Sequence, residues 1–424
     1  MTIAEQPTRS AGIAAERASA AEQLLWFTEQ LHKGTRSTVA LAQFRLDGPV
    51  DPEALRVALE ALRWRHPALR TAFVARDGQL WRQVLNHPVR LEIQSLPAGT
   101  NRWDAVESLC VRPYCLAHGD VLRVGLAADA AGAQLYLAPH HVAFDGYSEV
   151  VVAEELAEAY EQALAGQPPV LAELPRLTAH QLSARRRAEL TAYWRQALDG
   201  VADLPAGQPP QTHRELLRDQ VLELPLAVPA ETTLALRRQS RAQAVSLFAL
   251  VLTAAGRALA GLTGAADFCL GTPVSTRRPG QETEVGCELN VLPIRLPDLT
   301  GPEAPTRVWH TVVDAMLHAE LPLPGILACR PAPDTRRMPL YQALVAYQNW
   351  PRPVLRAGPA RLRALPVSAC GPQGEVLVEF YDLGPDQLTG VVQAPSAGAW
   401  ASQLRKLADA VGQQLELLVE EDMR

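Results

Sequence analysis

Residues 139–146 read Pro139-His140-His141-Val142-Ala143-Phe144-Asp145-Gly146, and the rest of the chain is best read outward from them. They lie between an alternating, hairpin-like segment at 122–139 and a helical pattern over 147–164. Neighbours on a strand face opposite ways, so one imidazole can enter a cleft while the other packs inward. Asp145 follows as the chain turns, and Gly146 permits a tight backbone that a side chain would obstruct. Imidazole is the side chain suited to accepting a proton near neutral pH. A histidine pair alone is usually incidental, and Asp-Gly alone is usually a turn. Strand, pair, Asp-Gly and helix at this spacing form a much more specific signal.

On the N-terminal side the opening residues read as a mobile arm, followed by a helix starting near Ser19 with Ala21, Leu24, Leu25, Phe27 and Leu31 at helical spacing. A strand is expected over 38–47, then a helix capped by Asp51, then a hairpin over 69–85 turning at Asp77-Gly78. Beyond 164, Pro- and Gly-rich stretches at 166–180 and 200–212 flank a basic helix at 184–198, which marks a boundary between lobes. The second half repeats the mixture: a strand near 220–226, helices at 230–243 and 246–262, strands at 267–274, 290–296, 341–348, 374–381 and 388–393, and a closing helix over 399–419. The expected class is α+β, with lobes at 1–172 and 173–424 facing each other across a cleft.

Composition excludes several alternatives. The chain has 424 residues, 48% hydrophobic and 20% charged, with a net charge of -6 and a pI near 6.0. That describes ample core and no basic footprint for nucleic acid. Lys33 and Lys406 are the only lysines, so a lysine nucleophile has almost no candidates. Cys110, Cys115, Cys269, Cys287, Cys329 and Cys370 form no CxxC pair and no zinc spacing, and read as buried reduced thiols. His66, His118 and His310 are not grouped for a metal and receive no role. No apolar leader or bilayer-length run is present, so the cytoplasm is the default compartment.

The 139–146 stretch resembles the HHxxxDG motif of nonribosomal peptide synthetase condensation domains, in the superfamily that includes chloramphenicol acetyltransferase. Other segments follow in that family's order. Residues 19–27, Ser-Ala-Ala-Glu-Gln-Leu-Leu-Trp-Phe, resemble SxAQxRLWF, with Glu22 and Leu24 in place of Gln and Arg. Residues 65–73 resemble RHExLRTxF with Pro67 at the Glu position, Tyr193-Trp194 opens a YWxxxLxG segment, and 271–277 resemble the GxPVAxR bridging loop. Residues 285–295 resemble IGxFVNTxxxR with Val291 for Thr, and Pro339-Leu340-Tyr341-Gln342 followed by Gln348-Asn349 resembles SPLFQVMF…QN. The HQDxPFE segment is not recognisable near 320–325, and the YxDYAxW segment is degraded near 177–182.

The resemblance implies two chloramphenicol acetyltransferase-like lobes in a V-shaped pseudo-dimer, with a tunnel between them and a bridging loop near 271–290. It implies a condensation enzyme that transfers an acyl, aminoacyl or peptidyl group from a carrier-protein phosphopantetheine thioester to an amine. His141 would be the central group, either as a base or as a positioner, with His140 supporting the motif's geometry. Gly146 would offer its N–H to an oxyanion or simply leave space. Asp145 would pair with Arg295 in a structural role, while Asn349 and Ser148 would line the tunnel. No intrinsic cofactor and no metal are implied, the phosphopantetheine arm belonging to a carrier protein in trans. Arginines 185–187 are a candidate docking patch for its acidic surface. The chain reads as a monomer, freestanding rather than excised, with no nucleic-acid or membrane partner. Ester formation on an alcohol and a catalytically silent recruitment module of the same fold remain open. Epimerization and heterocyclization are disfavoured by Tyr147-Ser148-Glu149-Val150 and by the histidines themselves.

Overall fold

The computed structural model describes residues 15–86, 91–174, 182–205, 212–217, 219–296, 298–330 and 337–422; the expected N-terminal arm lies outside them. Local chemistry explains where elements begin. Ser19 and Glu22 form a reciprocal capping box for the helix Ala20–Leu31, each side chain accepting from the other's backbone N–H. Asp51 Oδ1 accepts from the N–H groups of Glu53 and Ala54 at 2.8 and 3.1 Å and starts the helix Pro52–Arg65. Asp77 and Gly78, at φ 50° and 71°, make the two-residue turn between strands Thr71–Arg76 and Gln79–Val84.

Two six-stranded sheets carry the fold. In the first, the strands run in the spatial order Leu355–Ala357, Ala360–Leu365, Ala42–Asp47, Gly132–Pro139, Leu122–Asp129, Ile93–Leu96. Helices Pro52–Arg65 and Ser148–Leu164 pack over it, burying Phe44, Leu46, Leu55, Leu62 and Tyr160. In the second, the order is Leu289–Arg295, Cys269–Ser275, Ala343–Gln348, Val376–Gly384, Gln387–Pro395, Val221–Ala227. Its cover is the helices Ala230–Ala242, Leu247–Thr263, Ala304–Leu317 and Leu404–Asp422. The α+β, two-lobed expectation is met.

The expected division at 172/173 does not separate the two sheets. The hairpin at 355–365 pairs with Ala42–Asp47, from Arg361↔Asp47 to Leu365↔Gln43, and its Ala357, Ala360 and Leu362 sit in the first core. Buried Ala360, Leu362 and Ala364 alternate with exposed Arg361 and Arg363, completing a half-buried surface that residues 1–172 alone leave unpaired. The expected strand at 38–47 begins only at Ala42, because Arg36–Thr38 closes a short 3-10 turn capped by Thr35. The helices Arg102–Leu109 and Ala304–Leu317 were not expected, although Val308, Val312 and Ala315 have helical spacing. Nor are all the thiols buried: Cys269, Cys287 and Cys370 are, but Cys115 is exposed. Among the described residues no single helix is long and apolar enough to cross a membrane.

Candidate active site

The strand Gly132–Pro139 delivers the histidine pair, and a short turn at His141–Ala143 sends the two rings to different surroundings. His140 is fully buried: its Nδ1 accepts from the Val142 N–H at 3.0 Å, and its Nε2 lies 3.7 Å from Glu29, itself 1% exposed. Burial lowers the affinity of His140 for a proton, with Glu29 opposing. His140 thus sits against the helix Ala20–Leu31 rather than on the cavity wall. His141 faces the cavity between the lobes. Its Nδ1 lies 2.8 Å from the Phe144 carbonyl, which can only accept, so Nδ1 carries the hydrogen and Nε2 keeps its lone pair. Desolvation by the surrounding protein lowers its pKa as well, against the pull of Asp145, so the ring is neutral at neutral pH.

Asp145 turns away from this opening. One carboxylate oxygen accepts from the Ser148 N–H at 2.9 Å and the Ser148 hydroxyl at 2.8 Å, at the first residue of the helix Ser148–Leu164. The other accepts from the Glu288 N–H at 3.0 Å and from the Arg277 guanidinium. The expected pairing with Arg295 is therefore wrong. Arg295 lies at the far end of its strand and binds Asp267 at 2.6–2.8 Å. Arg277 reaches Asp145 because it opens the loop 276–288, which leaves the second sheet and crosses to the first lobe. That loop is held further by Gly286 against the Ser148 hydroxyl and by the Val285 N–H donating to His66 Nδ1 at 3.3 Å. His66 Nε2 meets Glu155 at 2.7 Å on the same helix as Ser148. Ser148, expected to line the tunnel, is fully buried in this junction instead.

Between the lobes lies a cavity of 2320 Å³ whose wall includes His141, Gly146, Thr272, Asn290, Tyr341 and Asn349. Asn349 is thus where it was expected. The helix Ala20–Leu31 turns apolar residues to this space: Leu24, Phe27 and Leu31 line it, while Glu29 is buried away from it against His140. Trp350 packs on Gly146 so closely that a Cβ there would stand 2.5 Å from the indole ring. The indole N–H points to Glu149 at 3.3 Å, and Arg352 lies 3.4 Å from the same carboxylate. Burial pushes Glu149 up to about 7 despite Arg352, and Glu379, also on the cavity wall, up to about 7. Of the proposed docking arginines, Arg186 is engaged within the chain, bonding Glu320 and the Leu317 carbonyl, and Arg185 pairs with Glu189. Among the described residues no cluster of His, Cys, Asp and Glu could hold a metal.

A family model described as Condensation domain matches residues 17–367. The chain belongs to the condensation domain family. It is 31% identical over 355 residues to phosphinothricin tripeptide synthetase PhsC of Streptomyces viridochromogenes, covering 78% of this chain and 32% of that protein. To malpinin synthetase of Mortierella alpina it is 30% identical over 357 residues, covering 78% of this chain and 4% of that protein. The chain therefore spans a third or less of these relatives. The condensation domain of monacolin K polyketide synthase MokA superposes with a TM-score of 0.80 at 19% identity, covering 97% of this chain and 98% of that one. The X-domain in complex with OxyB from teicoplanin biosynthesis gives 0.76 at 21% identity, covering 99% and 96%. At these identities the likeness speaks for the fold.

Two tests follow for this condensation domain. Gly146→Ala should drive its methyl into Trp350, cost about 1–3 kcal/mol of stability by overpacking and cut transfer. Adding Trp350→Ala should recover both to the level of Trp350→Ala alone; activity still missing after that relief would point to the Gly146 backbone and not its small size. The buried carboxyls set a pH dependence. A folded carboxyl raised from 4.5 to about 7 keeps its proton longer than in the unfolded chain, so its contribution is full in acid and is lost as pH rises through about 7. Glu379→Gln escapes that loss. Denaturant titrations should show the variant gaining up to about 3 kcal/mol on wild type between pH 4.5 and 7; parallel curves would refute it.

Proposed function

We propose that this condensation domain transfers an acyl, aminoacyl or peptidyl group from the phosphopantetheine thioester of a separate carrier protein to an amine, forming an amide. The observation that carries the reading is the tautomer of His141: Nδ1 is committed to the Phe144 carbonyl, leaving a neutral, basic Nε2 on a cavity enclosed by both lobes. As the amine nitrogen attacks the thioester carbon, Nε2 takes the proton the nitrogen must shed. Collapse of the tetrahedral species then breaks the C–S bond, and the imidazolium returns that proton to the departing thiolate. The thioester is already activated, so the step needs no nucleotide.

Intact-mass measurement of transfer from acyl-loaded carrier proteins to a panel of amines and alcohols tests this. Amide product that requires His141 is the expected result. Product with alcohols alone would make the enzyme an ester-forming acyltransferase, and carrier binding without any transfer would make it a recruitment module.

A further inference from the structure

The cavity wall on the second sheet holds a polar group that proton transfer at His141 does not use. Glu379 lies on the strand Val376–Gly384, 5% exposed, with Leu377 beside it on the same cavity-facing side. Its neighbour across the sheet is the strand Ala343–Gln348, and there Gln348 fixes its orientation. The Gln348 carbonyl accepts from Arg352 at 2.7 Å, so its amide nitrogen is left to donate to Glu379 Oε1. Glu379 Oε2 has no hydrogen-bond partner. The Tyr381 hydroxyl stands beside it without a bond of ordinary geometry, and a carboxylate oxygen accepts two in any case.

Charge gives the kind of partner. Glu149 and Glu379 share one guanidinium, Arg352, which contacts Glu149 directly and reaches Glu379 only through Gln348. The nearby pair of Arg102 and Glu223, bridged by Ser368, is neutral within itself. With both carboxylates ionised the cluster is one positive charge short. A buried carboxylate of this kind is costly unless paired; without a partner it holds its proton more tightly, and a cation entering from the cavity takes the place of that proton and supplies the pair.

We propose that Glu379 anchors a subsite for a substrate ammonium group, with Oε2 as its acceptor and Gln348 and Arg352 holding it in place. This rests on the condensation reading, in which substrates occupy the cavity. The ammonium has two possible sources, the nucleophile's own amine before it loses its proton, or a basic side chain, and binding separates them.

The probes are non-reactive pantetheine amides of ornithine and of norvaline, each with its α-amine free or acetylated. Binding to the full chain is measured by calorimetry. Wild type should favour a cationic conjugate over the uncharged acetyl-norvaline one by about ten- to hundred-fold, the span of a charge-assisted hydrogen bond. Glu379→Gln, and Glu379→Met as a second variant of similar size, should abolish that preference while binding the uncharged conjugate as wild type does. Preference that follows the α-amine assigns the site to the nucleophile; preference that follows ornithine assigns it to a basic side chain. Wild type that binds every conjugate equally, or variants that retain the preference, would overturn the subsite alone. Failure of wild type to bind even the uncharged pantetheine conjugate would instead overturn the condensation reading.

Discussion

Asp145→Ala should lower the free energy of unfolding by about 3–5 kcal/mol, the cost of removing one partner from a buried ion pair. The side chains of Asp145 and Arg277 are 4% and 7% exposed, so the guanidinium left behind could not be rehydrated without moving the loop that carries it. The Glu288 N–H, the Ser148 N–H and the Ser148 hydroxyl would lose their acceptor together. Arg277→Ala should cost a similar amount from the other side. The double variant should cost less than the sum of the two, because no lone charge remains. Arg295→Ala supplies the contrast: its pair with Asp267 is about a third exposed, and about 0–1 kcal/mol is expected. Chemical denaturation of these four variants decides the matter. If Arg295→Ala proved as damaging as Asp145→Ala, or Asp145→Ala stayed within about 1 kcal/mol of wild type, the junction would not have the role given to it here.

His141→Ala should behave in the opposite way, keeping its fold and losing about 10²–10⁴-fold in transfer rate, the usual range for a general base. The side chain caps nothing, and the bond it gives up, to the Phe144 carbonyl, is local. The pH profile sharpens the test. Because burial depresses the His141 pKa, the neutral base persists below the ordinary imidazole range, and the rate should hold as pH falls through 6.5 before dropping. A rate already halved at pH 6.5 or above, or a folded His141→Ala within a few-fold of wild type, would reduce the residue to a positioning group.

The motif was legible because its parts are local. Strand, histidine pair, Asp-Gly and helix are contiguous, so periodicity and turn chemistry place them without knowledge of the rest. The partner of Asp145 was not legible: Arg277 and Arg295 both belong to family-like segments, and only the path of the loop 276–288 shows which one crosses to the first lobe. Ser148 was misread for a related reason. A serine just after Asp-Gly is equally suited to line a tunnel or to turn inward, and its partners here are Asp145, which was already assigned elsewhere, and Gly286 on a distant loop. The helix Ala20–Leu31 was placed well, but apolar spacing alone does not say what the apolar side meets, and here Leu24, Phe27 and Leu31 line a cavity. Its informative residues were the acids at 22 and 29, two turns apart on the inner face, and Glu29 is the one that meets His140. Glu379 gave no signal at all, because an acid in the run 376–384, which also holds Asp382, looks like the solvent face of an edge strand.

The hairpin at 355–365 bears on how such proteins can be recombined. A split after residue 172 would leave the first fragment with an open sheet edge along Ala42–Asp47 and without the core residues Val285, Ala357, Ala360, Leu362 and Ala364. The second fragment would carry two orphan strands and the arm bearing Arg277. Neither piece is expected to fold alone, and the two are expected to recover structure only by complementation. Chimaeras that exchange the second sheet and its helices between relatives should therefore inherit residues 355–365 and the loop 276–288 from the parent that supplies the histidine motif, as a mosaic rather than as two blocks.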